Sequence, residues 1–178
     1  RRTFYAGMQA LGDALLAHAP PERPITFAWP AAVHVAGGMV GGARLAWPPH
    51  AKEDETPDWL VFGATIRTVS MGAGDAGLRP LVSALEEEGF DDVGAGLLVE
   101  SFARHLMLAI DAWQSDGFAA IADSYLRRVH RQKGALHALA ENGDLLEKWK
   151  GQAEPDRRSL RDALAVPSWL DPATGGPR

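Results

Sequence analysis

The sequence predicts an α+β protein in which a mixed or antiparallel sheet is packed by helices and followed by a small C-terminal β-rich domain. Three observations predict it. Apolar residues recur at three- and four-residue steps between Phe4 and Leu16, which indicates an amphipathic helix. Short apolar runs broken by Pro30 and by Gly37-Gly38 follow, as is typical of strands in a meander. Near the C-terminus, an Asn-Gly step at residues 142–143 lies between two apolar runs and indicates a β-hairpin.

The remaining elements follow in order along the chain. Strands are predicted at residues 25–29, 32–35, 39–47 and 59–69, and a short helix at residues 81–88. Two longer helices come next, the first ended by Gly117 and the second beginning at Phe118. Because the pattern changes after Gly134, we place a domain boundary between residues 133 and 134. In the second domain, residues 134–178, Trp169 is expected to anchor the tail to the core, and residues 174–177 to be frayed.

Composition excludes several classes of protein. With 178 residues, 46% of them apolar, the chain is long enough to bury a full core. It contains no cysteine, which excludes disulfides, thiolate metal sites and cysteine nucleophiles. A net charge of −5 gives no electrostatic reason to bind nucleic acid. No apolar run is long enough to cross a bilayer and no signal peptide begins the chain, so a cytoplasmic protein without a membrane partner is predicted.

Two further motifs do not support a site. Residues 72–77 match the dinucleotide pattern GxGxxG, but Leu78-Arg79-Pro80 separates them from the next helix and no βαβ alternation surrounds them, so a loop is predicted. The six histidines lack the spacing of a zinc site, and no GxSxG elbow occurs. We therefore predict no metal site and no serine hydrolase.

The stretch from Trp29 to Trp47 is the most informative, because Gly41-Gly42 interrupts a strand pattern soon after Gly37-Gly38. Glycine within a strand loses side-chain packing, so a pair of glycines suggests that another group approaches the main chain closely. We favour a bound ligand as that group. The alternative is that Pro30 ends an edge strand and the glycines form a bulge or admit a helix.

Together these segments resemble the biotin/lipoate A/B protein ligase family. Trp29-Pro30 followed by a strand, a turn and Met39-Val40-Gly41-Gly42 resembles the segment Lys-Trp-Pro-Asn-Asp, strand, turn, Lys-x-x-Gly of biotin protein ligases. The run at residues 61–66 looks like the next strand of the family, the two helices around Gly117 like its paired helices, and the Asn-Gly hairpin like the start of its small C-terminal domain. The resemblance covers most of residues 4–150.

The resemblance implies a fold of the class II synthetase/biotin ligase type, with residues 1–133 as a catalytic domain lacking upstream strands. It implies ATP and Mg²⁺ as cofactors, and biotin, lipoate or a fatty acid as the small carboxylic acid that is activated as an acyl-adenylate. The acyl group then passes to a lysine of a biotinyl or lipoyl carrier domain. The family's Gly-Arg-rich adenylate loop has no counterpart in this sequence. We expect either that it lies in an upstream region or that adenylation has been abandoned.

By the same resemblance, one set of residues binds the substrate: Trp29, Met39, Gly41, Gly42 and Gly63. Arg67 is the nucleotide-binding candidate. The departures are as informative, since Met39 stands at the Lys position, Ala31-Ala32 at the Asn-Asp pair and Ala28 at the Lys before Trp. Arg67 itself replaces an Asn. A thioether offers no positive charge and alanines cannot orient phosphate or Mg²⁺, so no catalytic residue can be named.

Three interpretations stay open. The protein is a ligase, with ATP-dependent activity retained in a longer chain; it is a binding module that keeps the acyl pocket without the nucleotide chemistry; or it is an interaction domain without a small ligand. A homodimer formed by extension of the sheet is also left open.

Overall fold

The structure, a computed structural model, describes residues 1–52, 55–70 and 81–178. Its helices and strands, in chain order, are α1 Thr3–Leu16, β1 Ile25–Ala28, β2 Ala32–Val35, β3 Gly38–Ala46, β4 Val61–Ile66, α2 Ala95–Arg128, β5 Ala135–Leu139, β6 Leu145–Trp149, β7 Asp156–Arg158 and α3 Leu160–Ala165. Antiparallel sheets packed by helices confirm the predicted α+β class.

The first sheet is an antiparallel meander of four strands in the order β1-β2-β3-β4. The turn between β2 and β3 contains Ala36 and Gly37, both with positive φ, of 46° and 93°. The register of β2 against β3 shifts between Val33 and His34, where β3 has one extra residue. On the far side, β3 pairs with β4 from Gly41↔Ile66 to Ala46↔Val61.

Both long helices pack on one face of this sheet. The Phe62 ring of β4 lies against Gly7 of α1, where a Cβ atom would overlap it, and stacks on Phe102 of α2 at 5.6 Å between centroids. The helices are also joined by an ion pair, with Arg128 Nη2 2.6 Å from Asp13 Oδ1. The small residues of α1 therefore allow helices and sheet to approach closely.

α2 consists of two helices that meet at a kink. Gly117 has φ 77° and ψ −175°, which lie outside the helical region. This matches the predicted end of the first helix and start of the second, because glycine adopts such a conformation without steric cost. The second half buries Ile121 and Tyr125 in the core.

The C-terminal sheet has the order β5-β6-β7, with the β5–β6 hairpin closed at Asn142 and at Gly143, whose φ is 91°. It is tied to the first helix by a buried hydrogen bond of 2.5 Å from the Tyr5 hydroxyl to the Gly143 carbonyl. The hairpin prediction is confirmed. The boundary between residues 133 and 134 stays a prediction.

Two expectations were wrong. Residues 81–88 form turns rather than a helix, because their main chain bonds to the strands: the Met39 N–H donates to the Leu81 carbonyl, at 2.9 Å, and the Ser83 N–H to the Met39 carbonyl, at 3.0 Å. Residues 174–177 are not frayed, since the Asp171 N–H donates to the Gly176 carbonyl at 2.8 Å. The GxGxxG stretch at residues 72–77 lies outside the described residues. Within the described ranges, no helix is long and apolar enough to cross a membrane.

Candidate functional site

The two faces of β3 and β4 differ in what covers them. Phe62 points to the helices, so its neighbours Val61 and Gly63 point to the opposite side, because side chains alternate along a strand. Their cross-strand partners share that side. We call this surface the open face; it is formed by Gly42, Arg44, Val61, Gly63 and Thr65. Apart from Gly42 these residues are exposed.

Gly41, a predicted substrate-binding residue, lies against the chain's own β4. Its φ is 156°, and a Cβ atom there would overlap the Thr65 carbonyl oxygen. The requirement for glycine at this position therefore comes from main-chain packing between two strands. Gly41 does not line the open face.

Gly42 does lie on the open face, and the group in contact with it is Trp169 from the C-terminal tail. A Cβ atom on Gly42 would lie 2.5 Å from Cε2 and Cγ of the Trp169 ring. The ring is 1% exposed, and its Nε1 donates to the Ala43 carbonyl at 3.2 Å. The glycine pair predicts a close approach at Gly42, and in the structure an aromatic side chain of the same chain occupies that space.

Arg67, the nucleotide-binding candidate, also contacts the tail. Its guanidinium Nη2 donates to the Pro177 carbonyl at 2.9 Å, while its main-chain N–H donates to the Val40 carbonyl at 2.7 Å. The structure therefore places two predicted site residues, Gly42 and Arg67, under one C-terminal segment. The sequence offered one signal for this arrangement, the apolar Trp169 in a polar tail, but it did not indicate where that ring would pack.

Trp29 belongs to the core rather than to the open face. It is 7% exposed, and its Nε1 donates to the Tyr5 hydroxyl at 2.9 Å. The guanidinium of Arg158 lies 4.9 Å from the Trp29 ring centroid. Burial raises the pKa of Tyr5, so the phenol stays protonated and donates onward to the Gly143 carbonyl. In this structure Trp29 joins the two sheets.

Met39 is half-buried, and both of its main-chain polar groups are used in pairing with residues 81–83. Gly63 is different: apart from Gly63 itself and its two chain neighbours, no heavy atom within residues 1–52, 55–70 and 81–178 lies within 4 Å of a Cβ atom placed on it. Opposite Gly63 in the register is Arg44, whose side chain is exposed. On the open face, main chain at Gly63 that no other part of the described structure covers thus lies opposite the cation of Arg44.

The residues at the family's catalytic positions do not fit Mg²⁺ and ATP. Ala31 and Ala32 are 1% and 3% exposed and provide methyl groups where the resemblance expects Asn and Asp. Met39 has no charge to place near a developing anion. No group of three His, Cys, Asp or Glu residues that could hold a metal ion occurs within residues 1–52, 55–70 and 81–178.

A separate cleft of about 360 Å³ opens at the start of α1. Arg2, Trp47, Lys52 and Trp113 are among the residues that line it. Among the described residues that line this cleft, none is a predicted site residue. The cleft and the open face are therefore separate surfaces.

Known proteins that are similar to this chain identify its family. The model of the biotin/lipoate A/B protein ligase family matches residues 1–127. Among solved structures, a biotin protein ligase-like protein of unknown function from Silicibacter sp. TM1040 is 25% identical, with a TM-score of 0.70 over 90% of this chain and 71% of that chain. None of the curated proteins is similar enough in sequence to match this chain.

More distant structures share the fold. The apo biotin protein ligase of Aquifex aeolicus has a TM-score of 0.63 at 14% identity, over 88% of this chain and 74% of that chain. The same enzyme in complex with biotin and ATP has a TM-score of 0.60 at 13% identity, over 88% and 70%. With the family model matching most of its length, this chain belongs to the biotin/lipoate A/B protein ligase family.

Proposed function

We propose that this protein binds a small carboxylic acid, namely biotin, lipoate or a fatty acid, on the open face. The observation that carries the proposal is the open face, where Gly63 presents main chain without a Cβ atom on the side away from the helices, next to Gly42, on which the Trp169 ring lies. A strand surface without a Cβ atom lets a ligand approach the main chain closely. Membership of a ligase family supports the choice of acid.

Arg44 is the proposed partner of the acid's carboxylate. It lies across the strand pair from Gly63, and its guanidinium is exposed rather than buried in a structural ion pair. A guanidinium fork suits a carboxylate, because two parallel N–H groups meet its two oxygens. Of the remaining predicted contacts, Met39 and Gly41 lie in β3 and Trp29 lies in the core, and their contact with the acid stays a prediction.

The second candidate is full ligase activity: ATP-dependent activation of the acid and its transfer to a carrier-domain lysine. Family membership favours it, and ATP with Mg²⁺ would supply the adenylation chemistry. The residues at positions 31, 32 and 39 argue against it, because they contribute neither charge nor oxygen ligands. In this version, Arg67 and groups elsewhere in a longer chain take those roles. A homodimer and a cytoplasmic location stay predictions.

Calorimetry separates the candidates. The full-length protein is titrated with biotin, lipoate and octanoate, with and without Mg²⁺-ATP, and pyrophosphate release is assayed in parallel. Binding that is equal with and without nucleotide, without pyrophosphate, supports the binding function; pyrophosphate release with one acid supports the ligase. If none of the three acids binds under either condition, the proposed function is wrong.

Arg44→Ala tests the carboxylate contact. We expect the affinity for the acid to fall about tenfold, which corresponds to about 1.4 kcal/mol. Arg127→Ala is the matched control, since Arg127 is also exposed but lies near the end of α2. Equal affinity of both variants and the unmodified protein would remove Arg44 from the site.

A further inference from the structure

The C-terminal segment, residues 167–178, lies on the surface that we propose as the acid site. The Trp169 ring lies against Gly42, and its Nε1 donates a hydrogen bond to the Ala43 carbonyl. The Pro177 carbonyl accepts a hydrogen bond from Arg67. The family resemblance and the glycine pattern had marked Gly42 and Arg67 for a substrate and a nucleotide. In the structure, both residues contact a segment of the same chain.

The segment is folded on itself as one small unit. Leu170 and Pro177 form an antiparallel bridge, and the Arg178 N–H donates to the Trp169 carbonyl at 2.9 Å. The Asp171 side chain accepts from the Ala173 N–H at 2.9 Å. Because these bonds are internal, the contacts at Gly42 and Arg67 can be broken together without unfolding the segment.

One ring provides the most deeply buried attachment of this segment to the rest of the molecule, beside the hydrogen bond from Arg67 to Pro177 and the partly buried Leu170. Trp169 is the buried residue of this segment, whereas its neighbours are half-buried or exposed and Val166, just before it, is 80% exposed. A segment with so few buried apolar contacts opens at a lower free energy than the core. A ligand that binds the open face therefore has to displace one buried ring and a single hydrogen bond from Arg67 to clear this segment.

We propose that residues 167–178 are an internal occupant of the acid site, so that the acid and the Trp169 ring compete for the space above Gly42. This inference rests on the proposed function. Binding then includes the cost of displacing the segment, and the measured affinity is reduced by the fraction of molecules in which the segment is closed. Any change that releases Trp169 makes the same surface available.

The first test compares acid affinities of full-length variants by calorimetry, with biotin, lipoate and octanoate as probes. Trp169→Ala removes the competing ring, and we expect it to bind one of these acids about tenfold or more tightly than the unmodified protein. Leu164→Ala is the control: it removes another buried side chain of the C-terminal region, 8% exposed, which belongs to α3. Its affinity should equal that of the unmodified protein.

The second test needs no variant, so a failure of Trp169→Ala to fold does not affect it. Chymotrypsin cleaves after Trp and Leu, and both residues of the Trp169-Leu170 pair belong to the segment. Adding the acid to the unmodified protein should accelerate cleavage at this pair, because displacement exposes it. Cleavage is followed by mass spectrometry of the released peptide.

The outcomes are distinguishable. Tighter binding by Trp169→Ala, or faster cleavage at Trp169-Leu170 with acid, supports the competition. Equal affinities, or cleavage that the acid leaves unchanged or slows, overturn it and leave the proposed function standing. If neither the unmodified protein nor Trp169→Ala binds any of the three acids, the proposed function is wrong and the competition falls with it.

Discussion

Among single residues, the packing of Trp169 depends on the absence of a side chain at Gly42. An aromatic ring can lie flat on β3 only where no Cβ atom projects, and Gly42 provides that place. The sequence marked Gly42 correctly as a point of close approach. It could not indicate the approaching group, because Trp169 lies far along the chain and nothing local specifies that contact. The neighbouring Gly41 is required for a different reason, because a Cβ atom there would overlap the Thr65 carbonyl oxygen.

Gly42→Ala tests this fit. We expect the free energy of unfolding to fall by about 1–3 kcal/mol, the usual cost of overpacking. In a Trp169→Ala background the same substitution should cost much less, because the clashing ring is gone, and a double-mutant cycle in urea measures the difference. Gly63→Ala is the control, because none of the described residues beyond its chain neighbours would contact the added methyl group, so the free energy of unfolding should not fall. Additive effects of the two substitutions would contradict the contact.

At the scale of elements, periodicity and turn residues predicted most of the structure. The helix break at Gly117 and the Asn142-Gly143 hairpin are local features, set by glycine at positive φ, and the sequence contains all that they need. The helix predicted at residues 81–88 was wrong for the opposite reason. Its main chain bonds to Met39 and Arg67, residues distant in sequence, and such pairing overrides local helical tendency.

Asp144 stabilises the C-terminal elements and makes them sensitive to acid. Its carboxylate accepts from the Leu160 N–H at 2.9 Å, from Arg157 Nε at 2.8 Å and from Asn142 Nδ2 at 2.9 Å. Burial alone would raise the pKa of Asp144, but these donors together hold it below its ordinary value. The contribution to stability is therefore complete above the unfolded pKa, about 3.9, and is lost as the pH falls below it.

Asp144→Asn should lower the free energy of unfolding at pH 7 by about 1–3 kcal/mol, because charge-assisted hydrogen bonds are replaced by weaker ones. It should also flatten the loss of stability between about pH 4 and pH 2. Urea unfolding followed by circular dichroism across this range measures both. Asp162→Asn is the control, since the Asp162 side chain is not part of this network. An unchanged acid dependence in Asp144→Asn would contradict the assignment.

At the scale of the whole molecule, one buried chain of hydrogen bonds joins the two sheets. Trp29 Nε1 donates to the Tyr5 hydroxyl, which donates to the Gly143 carbonyl in the hairpin of the second sheet. The order of helices and strands, and with it the family resemblance, was readable from the sequence. The joining of the sheets was not, because it depends on three residues that no local pattern connects. Trp29 takes part in this connection, and its contact with a ligand stays a prediction.

Tyr5→Phe tests this connection. Removing the hydroxyl leaves both the Trp29 N–H and the Gly143 carbonyl without their partner, so we expect a loss of about 2–4 kcal/mol in the free energy of unfolding. Tyr125→Phe is the matched control, because the Tyr125 hydroxyl donates to a single carbonyl, that of Pro30, at 2.8 Å. Its loss should be smaller. Equal losses in denaturant titrations would show that the Tyr5 hydroxyl does not couple the sheets.

The central claim is that a small carboxylic acid binds on the open face. Amide shifts in ¹⁵N NMR spectra of the full-length protein, titrated with the acid that calorimetry selects, test it most directly. If the acid binds there, we expect saturable shifts at Gly42 and Gly63, and none at Gly94 and Gly96, at the start of α2. Shifts that leave Gly42 and Gly63 unchanged and gather instead around Trp47 and Trp113, in the cleft at the start of α1, would contradict it.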